Sequence, residues 1–131
     1  MAHHAQTLLS QSERALEGAT RLFEGARERV KAKLADPTQA ETGGHGFCQH
    51  ARHGLAWWSA TVKGLEELLQ WARRLTAGDA FADQEQLILL AAFGESLAQL
   101  RGGMPMSQSE IVRPADFDIE QPELSRLLAG R

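Results

Sequence analysis

Residues 84–100 carry apolar side chains on nearly every side of a helix, then Gly102-Gly103 stops that helix and Pro105 forbids its restart. Leu87-Ile88-Leu89-Leu90-Ala91-Ala92-Phe93 would also suit a buried strand, but the flanking Gln84-Glu85-Gln86 and Glu95-Ser96-Leu97-Ala98-Gln99, with the total length, favour helix. A helix apolar all round must be covered on more than one side, so this one belongs inside an assembly. A glycine pair at its end supplies a left-handed cap and leaves backbone N–H groups open to a ligand. Pro105 fixes its own backbone and biases Met104 towards an extended conformation.

Two further helices precede this one. Over 6–34, Leu9, Leu16, Phe23 and Val30 recur every seven residues, and Leu8, Ala15, Ala19, Leu22 and Ala26 widen the stripe. Gly18 and Gly25 weaken that helix unless another backbone packs closely there. Asp36-Pro37 ends it. A polar, glycine-rich connection over 38–46 leads to a second helix at 47–75. There Phe47, Ala51, Leu55, Trp58, Val62, Leu65, Leu69 and Ala72 form one face, and Trp57, Leu68 and Trp71 a second. Thr76-Ala77-Gly78-Asp79 reads as a cap and turn before the third helix at 82–101. Residues 102–122 form an extended arm, and 123–128 add one short helical turn.

Together these predict an all-α fold in one domain, 1–131: a three- or four-helix antiparallel bundle with an extended C-terminal arm. The surplus apolar surface on the second and third helices calls for a partner. An unstructured arm of this length is often laid on a partner as well.

The 131-residue chain carries 14 Lys and Arg against 17 Asp and Glu, a net charge of −3. That balance excludes nucleic acid as the main partner, which needs a concentrated basic surface. Arg27, Arg29, Lys31 and Lys33 form the one basic cluster, and helical spacing spreads them into a solvated face. Cys48 is the sole cysteine, so no intrachain disulfide forms. No run reaches the length of a membrane span and no secretory signal is present, which points to a cytoplasmic protein.

His45, Cys48, His50 and His53 are the natural types for a zinc site, yet Cys48 lies about 200° round the helix from His50. Structural zinc needs four convergent ligands, so no metal is assigned. Cys48 as a nucleophile would need a partner base and an oxyanion hole, and neither is identifiable. Glu95, between Phe93 and Leu97, should reach the surface or pair with Arg73 or Arg74. Trp57, Trp58 and Trp71 could stack a flat ring but more often anchor a core or interface. Met104 and Met106 suit a ligand pocket or a pliable contact.

The sequence Gln99-Leu100-Arg101-Gly102-Gly103 at the end of a long helix, followed by a short loop, resembles the C-terminal helical domain of the acyl-CoA dehydrogenase family over roughly 82–116. The resemblance implies that Gln99, Gly102 and Gly103 approach the nucleotide part of an FAD held mainly by a neighbouring subunit. Met104-Pro105-Met106 stands where the family usually carries an aromatic-Gly-aromatic. The implied chemistry is α,β-desaturation of an acyl thioester. Counterparts of the family's N-terminal helical domain and central β-domain are missing, so the chain is expected to be a helical domain or small subunit, not a complete enzyme. Its partner would be a second copy or a larger flavoprotein subunit. No segment after Met104 matches the family's catalytic glutamate. Glu66 or Glu67, on an earlier helix, lacks a supporting motif, so no catalytic residue is assigned. A non-catalytic helical interaction module is the second reading, and a metal- or thiol-based enzyme centred on 45–53 a third.

Overall fold

The computed structural model describes residues 2–38 and 45–129, with side chains over 3–38 and 49–129. In chain order the elements are α1 (Ala2–Ala35), α2 (His45–Ala77), α3 (Asp83–Gly102), β1 (Met104–Pro105), β2 (Ile111–Val112), a 3-10 turn (Pro114–Phe117) and α4 (Gln121–Ala129). The fold is an all-α bundle with one small hairpin.

Two apolar clusters set the topology. Ala5, Leu8 and Leu9 from the start of α1 pack with Leu65, Leu69 and Ala72 from the end of α2, and with Leu89 and Phe93 of α3. At the other end, Leu22, Ala26 and Val30 of α1 meet Ala51 and Trp58 of α2 and Leu100 of α3. Neighbouring helices therefore run antiparallel. Asp79, at φ 55°, takes the left-handed position that ends α2, and the Ala80 N–H donates to Leu75 O at 2.8 Å. Asp83 and Glu85 sit in the first turn of α3 and Arg101 in its last, matching the helix dipole.

On α1, Leu9 and Val30 of the seven-residue seam are buried and Leu16 and Phe23 half-buried, and Ala5, Leu8, Ser12, Gly18, Ala19, Leu22 and Ala26 are buried beside them. The buried face is the widened stripe, in which Ala19, Leu22 and Ala26 are fully buried. On α2, Ala51, Trp58, Leu65, Leu69 and Ala72 are buried as the sequence indicates, and Leu55 and Val62 lie half-buried beside them. Phe47 lies outside the described side chains.

The stretch 102–122 differs most from an extended arm. It folds back on the bundle as the β1–β2 hairpin, with Met104 paired to Val112 and Pro105 to Ile111, followed by the 3-10 turn. Met104, Met106, Val112, Phe117 and Ile119 are buried, and Phe117 meets Trp58 edge-on with ring centroids 4.8 Å apart. Burial of so many side chains by a segment without helical periodicity is a tertiary effect. Helix α4 then lies on α1, where a Cβ on Gly18 would stand 2.7 Å from Leu128 O. The close backbone that Gly18 calls for is α4.

The basic cluster also has a structural role. Arg27 pairs with Glu24 and Lys31 with Glu28 on the solvent side, as the spacing indicates. Arg29, however, is ion-paired with Glu123 of α4, and Lys33 with Asp118, so half of the cluster ties down the C-terminal segment. Glu95 is exposed, and Arg73 pairs instead with Glu13 of α1 at 2.9 Å. Solvent resolves the cost of its charge.

Candidate functional site

Helix α3 ends on Gly102, and the Gly103 N–H donates to Gln99 O at 2.9 Å. Gly103 has φ 143° and ψ 129°, a backbone region that side chains resist. A Cβ there would lie 3.0 Å from Ile111 Cγ2 and 3.5 Å from Arg113 Cγ, so Gly103 is where the chain turns tightly into β1 beneath β2. Gly102 differs: it is exposed, and a Cβ added to it would meet nothing within 4 Å. Gln99 is half-buried. The three residues are therefore neighbours at one end of the bundle, with an open edge at Gly102 and the Gly103 N–H already engaged.

A second constellation lies on the outside of the same hairpin. The hairpin tip is closed by the Met106 N–H donating to Glu110 O at 2.8 Å, which aims the Glu110 carboxylate at α2. Its two oxygens face His50 Nδ1 at 3.1 Å and His53 Nδ1 at 3.3 Å. His50 Nε2 stands 3.4 Å from Asp116 Oδ2, an oxygen that also accepts the Arg113 N–H at 2.7 Å. Trp57 Nε1 donates to His53 Nε2 at 3.0 Å, so the ring meets Trp57 at one nitrogen and Glu110 at the other. His50 instead has an acceptor at each nitrogen, the arrangement that suits imidazolium.

Burial lowers the His50 pKa, but hydrogen bonds to Glu110 and Asp116 and their charges outweigh it, and the net direction is upward. Glu110 is held below its ordinary range, chiefly by the hydrogen bond from His50, against a smaller opposing effect of burial. His50, His53 and Glu110 border a shallow groove of about 480 Å³ with Gln49. The arrangement can hold charge and clamp the hairpin to α2. Among the described residues, no group of three or more His, Cys, Asp and Glu is placed to hold a metal ion. The side chains of His45 and Cys48 lie outside the described residues. Sequence reasoning singled out His50 and His53 but not Glu110 or Asp116, which are distant in the chain and carry no local signal.

Other candidates are dispersed. Trp58 is buried, Trp57 exposed and Trp71 half-buried, so the tryptophans form no common stacking platform. Glu66 and Glu67 are exposed and share Lys63, at 3.2 and 3.0 Å. Among the described residues, no helix is long and apolar enough to cross a membrane.

Comparison with known proteins bears on the glycine turn. The chain is 40% identical over 113 residues to a (2S)-methylsuccinyl-CoA dehydrogenase from Cereibacter sphaeroides. This chain resembles a segment of an acyl-CoA dehydrogenase. The match takes in 86% of this chain, so the first two helices share in it, well beyond 82–116. It spans only 21% of the length of that dehydrogenase. No protein-family model matches the chain.

Proposed function

We propose that this chain is a helical domain or small subunit of an acyl-CoA dehydrogenase-like flavoprotein, a single helical unit that completes an assembly. The similarity over most of this chain to one fifth of a methylsuccinyl-CoA dehydrogenase carries the proposal. In that role Gln99, Gly102 and Gly103 would meet the nucleotide part of an FAD held mainly by another chain. The flavin would supply the hydride chemistry of an acyl-thioester desaturation. The contribution of this chain is to shape and orient, and none of its residues is assigned a catalytic step.

The open edge at Gly102 supports the fit, because a Cβ there meets nothing and a ligand could lie against the bare backbone. The test uses two variants in the assembled complex. Gly102→Val places bulk on the open edge without touching the rest of this chain and is expected to lower flavin content per complex. Gln99→Ala removes one hydrogen-bonding group, an effect on the order of 1 kcal/mol, and is expected to lower it less. Unchanged flavin in both variants would remove the nucleotide role.

The engaged Gly103 N–H favours a second reading, in which the turn is purely structural and the chain is a non-catalytic interaction module. That reading expects no flavin effect from either variant and a stability loss from substitution at Gly103.

A further inference from the structure

Helix α3 leaves an apolar face uncovered. Leu87 is 65% exposed and Leu90 55%, and Gly94 and Ala98 continue the exposed surface along the same side of the helix. Monomeric surfaces scatter single apolar residues, whereas a contiguous patch marks an interaction site. Charge at the two ends of this face says what would cover it. Asp83 and Arg101 lie about five helical turns apart and therefore on the same line of the helix, one at each end of the patch. Both are exposed, and neither has an ion-pair partner among the described residues.

We propose that this face pairs with itself, so that two copies of the chain associate through antiparallel α3 helices centred near Ala92. A two-fold axis there sets Asp83 of each copy against Arg101 of the other, which satisfies both charges twice. The same register sets Leu90 of each copy over Gly94 of the second, where a missing side chain leaves room for a knob. Leu87 then falls beside Leu97 and Ala98 of the second copy. The shallow crossing of helices packed in this way keeps the two ends within reach of each other. A parallel pairing would bring Asp83 against Asp83 and Arg101 against Arg101. This inference adds the partner and the register to the assembly role proposed above and rests on that role, not on the flavin contact.

Sedimentation equilibrium on the full chain tests it. The wild-type chain is expected to form a dimer. Gly94→Leu fills the hole, and because nothing in the protein lies within 4 Å of a Cβ there, the helix itself is spared. It should weaken dimerisation about a hundredfold without lowering the melting temperature of the monomer. Asp83→Arg alone and Arg101→Asp alone should each weaken the dimer about tenfold, and the two substitutions combined in one chain should restore it. Restoration is specific to the antiparallel register. A wild-type chain that stays monomeric at high concentration, or a dimer indifferent to these variants, would overturn the pairing. A monomer that still retained flavin with a larger dehydrogenase chain would overturn it while leaving the proposed function standing.

Discussion

His50 joins α2 to two separate parts of the C-terminal segment, through Glu110 at the hairpin tip and Asp116 in the 3-10 turn. Its pKa is raised on folding, so its contribution to stability is fully present below the ordinary imidazole value, about 6.5, and is lost as pH rises through the folded value. Glu110 is depressed, so its contribution is present above the ordinary carboxylate range and lost as pH falls through its folded value. The clamp is therefore strongest between those ranges. The melting temperature at about pH 5.5 should exceed that at about pH 8.5, and His50→Gln should reduce the difference. An identical difference in the variant would show that other groups cause it. Because Glu110, Asp116 and Trp57 engage the ring nitrogens of His50 and His53, a chelator should leave the melting temperature unchanged. Unfolding on chelation, with stoichiometric zinc in the untreated protein, would contradict that expectation. The two glycines of the turn separate in the same way. Gly103→Ala combines a positive φ with a neighbour at 3.0 Å and should cost about 1–3 kcal/mol in urea unfolding. Gly102→Ala should be neutral or stabilising, by up to about 1 kcal/mol. Equal losses at both positions would show that the turn is not built as described.

The three long helices could be read from periodicity, capping residues and breakers, because each signal is local. Ala51, Trp58, Leu65, Leu69 and Ala72 face inward as their spacing indicates. On α1 the seam holds at Leu9 and Val30, which are buried, and less so at Leu16 and Phe23, which are half-buried beside the fully buried Ala19, Leu22 and Ala26. The form of 102–122 was not legible. Prolines and missing periodicity say only that the segment is not helical, while its path depends on Met104, Val112 and Phe117 finding Trp58 and Leu100 in the bundle. Gly18 was the exception, a local cost that pointed to a distant contact, met by the backbone of α4 at Leu128. Gly18→Val should force α4 away from α1 and destabilise the protein by about 1–3 kcal/mol, with hydrogen exchange fastest over 121–129. Unaltered exchange there would mean that α4 does not depend on this approach. At the site, Gln99, Gly102 and Gly103 do lie together, whereas the links from His50 and His53 to Glu110 and Asp116 exist only in the fold.

Two observations bear on the assembled state. The chain resembles one fifth of a methylsuccinyl-CoA dehydrogenase, and its third helix displays an apolar face bounded by Asp83 and Arg101. Both fit a part that acts within a larger assembly. The most direct measurement is purification of the chain from its native source, with identification of the chains that accompany it and a visible absorption spectrum. A complex with a larger dehydrogenase-like chain, absorbing near about 450 nm from the cofactor's own chromophore, is the expected result. A colourless complex with no flavin on mass analysis would contradict the proposed flavoprotein role.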